Sequence, residues 1–127
     1  MTEDDFKKLS HDPDGLLTYE YLANNIGECT PDVLDRIVEN MKKVDLSGQF
    51  LASAARYLNA IDPEGYAPAI RELVAATIDK DREHRYLPDL MSGLYGHDYA
   101  ARAAELCAAD DNFRRIYKRL YPSTGSL

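Results

Sequence analysis

One segment of this chain repeats itself. Tyr66-Ala67 through Glu72-Leu73-Val74-Ala75-Ala76 recurs 33 residues later as Tyr99-Ala100 through Glu105-Leu106-Cys107-Ala108-Ala109. The same shift carries Leu58 onto Met91 and Ile61 onto Leu94, and a shift of 36 carries Leu34, Ile37 and Val38 onto Ile70, Leu73 and Val74. A period of this length is that of stacked helical hairpins, each too small to bury its apolar face alone. Such architectures are interaction scaffolds, and the repeat itself names no partner.

Apolar residues recur every three or four positions along the chain, without the alternation that marks strands, so the expected fold is all-α with no sheet. A short leading segment holds Phe6 and Leu9. Asp12-Pro13-Asp14-Gly15 then opens a helix to about Ile26, with Asp12 as N-cap, Pro13 at the first helical position and Gly27 as the stop. Thr30-Pro31-Asp32 repeats the start signal, and Val33, Leu34, Ile37, Val38, Met41 and Val44 follow on one stripe. Leu46 to Ile61 is apolar over so wide an arc that it is expected to pack on two sides as the central helix.

Asp62-Pro63-Glu64-Gly65 reads as a third helix start, leading through Tyr66 to Ile78, after which the charge-alternating run Asp79–Arg85 reads as an exposed connection. Tyr86 to Leu94, with Pro88 near its start, forms the next helix; Gly96 breaks the chain. Asp98 is placed to cap Tyr99–Ala109, and Asp110 to cap a last helix carrying Phe113, Ile116, Tyr117 and Leu120. Connections of two to six residues make neighbours antiparallel. The expectation is six or seven helices in antiparallel hairpins, stacked as a short α-solenoid or an orthogonal bundle, in one domain over 1–122 with a tail at 123–127.

Ala67, Ala75, Ala76, Ala100, Ala103, Ala104 and Ala108 carry a single methyl group, which allows the close helix approach that stacked hairpins need. Here the chain resembles the tetratricopeptide and HEAT-like class of helical repeats: Gly96-His97-Asp98-Tyr99-Ala100-Ala101 looks like the turn and second-helix start of a tetratricopeptide unit. That resemblance implies a curved helical surface for binding a peptide or protein.

The net charge of −7 lies wholly in the first half: residues 1–64 carry 13 acids against 6 bases, and residues 65–127 carry 9 of each. A field of that sign repels nucleic acid and anionic membranes and favours a basic partner. No run reads as a signal peptide or a membrane span, and Cys29 and Cys107 lack any zinc-like spacing. The expected setting is cytoplasmic, with both thiols reduced.

Ser10 to Tyr21 resembles a calcium-binding EF-hand loop, but Ser10 and Tyr21 stand where the first and last carboxylate ligands belong, so helix capping explains the acids better. His84 and His97, with Glu83 and Asp98, lack the spacing of a ligand pair on one helix face. Cys107 takes the core position that Val74 holds in the preceding repeat and reads as packing, not as a nucleophile. Arg114, Arg115, Lys118 and Arg119 form a basic face that complements the end of the last helix dipole. No metal, cofactor or catalytic residue is expected.

The leading expectation is therefore a non-catalytic protein-interaction module, in one concrete version an immunity-type neutraliser of a basic toxin, with Glu20, Glu28, Asp35 and Glu39 as contacts. Nine tyrosines supply the rival, a small-molecule-binding protein or enzyme with an inter-helical pocket lined by Tyr57, Tyr86, Tyr95 and His97.

Overall fold

The computed structural model describes residues 1–122, so the tail expected at 123–127 lies outside the described residues. Eight α-helices and no strands are found among them. The helices are α1 (Glu3–Ser10), α2 (Leu16–Asn25), α3 (Pro31–Val44), α4 (Gln49–Ile61), α5 (Ala67–Lys80), α6 (Leu87–Tyr95), α7 (Ala103–Ala109) and α8 (Asp111–Leu120), with 3-10 turns at Ile26–Glu28 and Tyr99–Arg102. The leading segment is thus a helix in its own right. A Thr2–Asp5 capping box starts it, and the Leu9 side chain is buried.

The helices pack both in sequence and by alternate members: α4 lies mainly against α5 and α7 against α8, while α3 also touches α1 and α5, α4 touches α2 and α6, and α8 touches α5 and α6. As expected of a helix that is apolar over a wide arc, α4 is central, with α2, α3, α5 and α6 around it. Its Leu51, Ala54, Ala55 and Leu58 are fully buried. These alanines, with Ala52 and Ala69, provide the close approach. Of the alanines singled out from the sequence only Ala103 is buried, while Ala100, Ala104 and Ala108 face solvent. The stripe of α3 is borne out, with Leu34, Ile37, Val38, Met41 and Val44 all inward, and so are its 36-shifted equivalents Ile70, Leu73 and Val74.

The helix starts differ from expectation in an instructive way. Asp12 is not an N-cap at the head of its helix: α2 begins at Leu16, and Gly15, in the left-handed region at φ +106°, precedes it. The Asp12 carboxylate is buried and reaches forward, accepting from the Gly15 N–H at 3.0 Å, the Thr18 N–H at 2.8 Å and the Thr18 hydroxyl at 2.7 Å. Asp45 repeats the device. Fully buried, it accepts from the N–H groups of Gly48, Phe50 and Leu51, each at 2.9 Å, while Gly48 sits at φ +92° before α4. Asp81 is the third instance, accepting from the N–H groups of Arg85, Tyr86 and Leu87 at 2.7 to 2.9 Å, with His84 at φ +56°. The run Asp79–Arg85 is therefore not simply an exposed connection, because its middle acid is 2 % exposed and holds the loop together.

Burying a carboxylate is costly unless its oxygens are matched by donors, and the first turn of a helix offers N–H groups that lack partners within the helix. Each aspartate meets both needs at once. It ends one helix, spans the loop and caps the next from up to six residues away. Asp62 and Gly65 share the same local spacing, but there the carboxylate accepts only the Gly65 N–H at 3.0 Å and stays exposed. Asp110 caps α8 directly through the Phe113 N–H, as expected, whereas Asp98 makes no capping bond and a 3-10 turn follows it.

The three loops stack. A β-carbon on Gly15 would lie 3.1 Å from the Asp45 β-carbon, and one on Gly48 would lie 3.3 Å from that of Asp81. Side chains also cross between neighbours. Asn40 of α3 donates to the Leu9 carbonyl at the end of α1 and to the Thr18 hydroxyl, and Lys80 of α5 donates to the Lys42 and Asp45 carbonyls at the end of α3. Carbonyls left without partners at the ends of α1 and α3 are thereby satisfied from the next odd-numbered helix.

Candidate functional site

Two neighbouring clefts open along the odd-numbered helices. The larger, about 590 Å³ between α1 and α3, is lined by Phe6, Ser10, Asp35, Arg36, Glu39, Asn40 and Lys43. Its charges are largely satisfied internally: Arg36 lies over the Phe6 ring and pairs with Glu3 at 3.0 Å, and Glu39 pairs with Lys42 at 2.9 Å. The Arg36 guanidinium holds the Glu3 carboxyl below the usual carboxylate range.

The second cleft is a slot of about 170 Å³ between the first turns of α3 and α5. Pro31, Leu34, Tyr66, Pro68 and Ala69 make it apolar, and Asp35 is the only charged residue in its lining. Asp35 forms no ion pair among the described residues and faces both clefts from the ridge of α3. The sequence explains this local shape. Thr30 caps α3 through the Val33 N–H, and prolines in the first turns of α3 and α5 begin both helices with stiff, apolar edges.

Acids flank the residues of the slot in sequence. The stretches 26–35 and 61–70 together hold Glu28, Asp32, Asp35, Asp62 and Glu64 and not one lysine or arginine. All five are exposed, and none has an ion-pair partner among the described residues. An apolar channel with an unpaired carboxylate in its lining suits a side chain with an aliphatic stem and a cationic head. Cys29, on the slot wall, donates to the Asn25 carbonyl, and burial pushes its thiol pKa up, so it is a neutral wall group rather than a thiolate. The same holds for buried Cys107, whose thiol burial also raises.

The four acids expected as contacts separate in space. Asp35 and Glu39 share the α1–α3 cleft, and Glu28 adjoins the slot through Cys29. Glu20 is exposed on α2 and lines neither cleft. The aromatic set is divided as well. Tyr57 faces α2, donating to the Ala23 carbonyl at 3.2 Å and meeting Tyr19 edge-on, whereas Tyr95 faces α8, donating to Asp110 at 2.9 Å and meeting Phe113 edge-on. Burial, with the Asp110 charge beside it, raises the Tyr95 pKa. Tyr86 packs half-buried against the core, and His97 is exposed in the turn after α6. Tyr99 and Tyr121 share a hydroxyl hydrogen bond of 2.9 Å that, with burial, leaves the Tyr99 pKa pushed up to about 12. None of Tyr57, Tyr86, Tyr95 or His97 lines the clefts at the α1–α3 or α3–α5 junctions.

Asp35 and Glu28 are legible in the sequence but the slot is not, because Tyr66 and Pro68 come within reach of Pro31 and Leu34 only when α5 packs on α3. The paired proline-and-acid starts at 30–32 and 62–68 were the available signal. Comparison of the chain with known protein families, characterised proteins and solved structures finds no match.

Proposed function

We propose that this chain is a non-catalytic protein-interaction module, a short stack of helical hairpins acting in the cytoplasm, that receives a basic segment of a partner protein at the α3–α5 slot. The observation that carries the reading is the unpaired Asp35 carboxylate beside an apolar channel, in stretches of chain that hold four further acids and no base. Oppositely charged surfaces steer encounter and set partner choice more than they set raw affinity, which suits an adaptor or an immunity-type neutraliser of a basic toxin. The buried hydrogen-bonded loops support the reading from another side, since they give a rigid frame on which exposed acids are held in place.

The test is capture from the native host under gentle conditions, with co-eluting proteins identified by mass spectrometry and recaptured with the Glu28→Lys, Asp35→Lys double variant. A stoichiometric basic protein, released by high salt and lost by the variant at unchanged melting temperature, is the expected result. Undiminished capture by the variant would remove the slot from the account, and a retained small molecule with no protein would replace the reading with a ligand-binding one.

A further inference from the structure

The stack of loops is open at one end, and what lies there is basic. Gly15 presses on Asp45 and Gly48 on Asp81, so a β-carbon at either position would be crowded as well as set on a left-handed backbone. The third loop has no fourth to press on, because α7 runs into α8 through Asp110 alone. The corresponding position accordingly carries a side chain, His84, despite its left-handed backbone. That side chain lines an open cleft of about 500 Å³ with Asp79, Arg82 and Arg119.

We infer that this cleft binds a phosphate monoester. Arg82 has no ion-pair partner among the described residues. One guanidinium nitrogen of Arg119 donates to the Ile78 carbonyl, which fixes the group at the end of α5, and the side chain lines the cleft. The single carboxylate, Asp79, is engaged by Arg115 at 3.2 Å. With Asp79 paired to Arg115 and the neighbouring Glu83 to Arg85 at 2.7 Å, Arg82 and Arg119 have no carboxylate partner among the described residues, in a chain whose net charge is −7. Two guanidinium forks with an imidazole beside them offer more donors than a carboxylate can accept and match the three terminal oxygens and double charge of a monoester. The site stands at the opposite end of α5 from the acidic slot and does not depend on it.

The experiment is amide NMR of the intact protein titrated at constant ionic strength with inorganic phosphate, with O-phosphoserine and with chloride. Saturable shifts confined to residues 79–85 and the last turn of α8, given by both phosphates and not by chloride, are expected. Arg82→Ala, which removes an exposed and unpaired group, should weaken both by about tenfold at an unchanged melting temperature. Shifts that fail to saturate, that chloride reproduces or that survive Arg82→Ala would overturn the site. Binding of inorganic phosphate without phosphoserine would overturn its assignment to an ester.

Discussion

Gly48 lies directly against Asp81: a β-carbon at residue 48 would stand 3.3 Å from the Asp81 β-carbon and 3.5 Å from the Thr77 methyl, on a backbone already at φ +92°. The conformation therefore favours glycine and the space is tight for any larger residue, so the loop before α4 is packed closely on the loop before α6. Gly48→Ala should cost about 1–2 kcal/mol from the left-handed conformation, with more from the contact. Gly15→Ala should behave alike, against Asp45 and Phe50. His84→Gly runs the other way, because it relieves a left-handed residue that presses on no further loop, and should gain up to about 1 kcal/mol. Urea unfolding of the three variants checks this, and a His84→Gly loss as large as the Gly48→Ala loss would contradict the stacking account.

The buried aspartates should be far more sensitive than the exposed one with the same spacing. Asp45→Asn keeps one acceptor oxygen but turns an NH2 toward backbone N–H groups that then lack a partner, a loss of about 2–4 kcal/mol. Asp62 gives up only the Gly65 N–H, in solvent, and Asp62→Asn should stay within about 0.5 kcal/mol. Equal effects in urea unfolding would mean that the loops, not their carboxylates, hold the helix pairs together.

Acid should act through Asp12. Burial pushes its carboxyl up, but hydrogen bonds from the Thr18 hydroxyl and from the N–H groups of Thr18, Gly15 and Asp14 outweigh burial, so the folded pKa lies below the ordinary value. A depressed carboxylate contributes stability that is complete above the unfolded value, about 3.9, and is lost as pH falls through the folded one. Melting temperature should therefore drop below about pH 4, and Asp12→Asn, less stable at neutral pH, should show a shallower drop. Parallel curves for the two proteins would assign the acid sensitivity elsewhere.

These loops also mark where the sequence was legible and where it was not. The stripe of α3, the centrality of α4 and the 36-residue correspondence with α5 follow from local periodicity, because a helix buries the same residues whichever neighbour covers them. Asp81 does not, since a lone acid inside Asp79-Lys80-Asp81-Arg82-Glu83-His84-Arg85 carries the pattern of a solvated run. Its burial is set by the N–H groups of α6 and by Gly48 from another loop, neither of which local pattern reports. The signal that was present is longer in range. Asp12, Asp45 and Asp81 stand 33 and 36 residues apart, the same shifts as the apolar repeat, each followed three residues on by Gly15, Gly48 or His84. For the slot, Asp35 was legible as an exposed acid, but its apolar wall combines two helices and appears only on packing.

Lys80 should reveal itself at alkaline pH. Its ammonium seals the end of α3 through the Lys42 and Asp45 carbonyls, and burial lowers its pKa, opposed by the Asp45 charge. Lys80→Met keeps the stem, removes the donor and leaves those carbonyls unpaired, for a loss of about 1–2 kcal/mol near neutrality. A lysine whose folded pKa lies below its unfolded value sheds its proton first in the folded state, so across that interval the unfolded chain binds more protons and stability rises with pH. Relative to Lys80→Met, the wild-type protein should therefore gain stability as pH climbs from the lowered pKa toward about 10.4, the opposite of what a surface ion pair gives. Unfolding free energies of both proteins between neutral and alkaline pH measure the difference, and a gap that narrows over that range would show that the ammonium, not the amine, is the form the folded chain prefers.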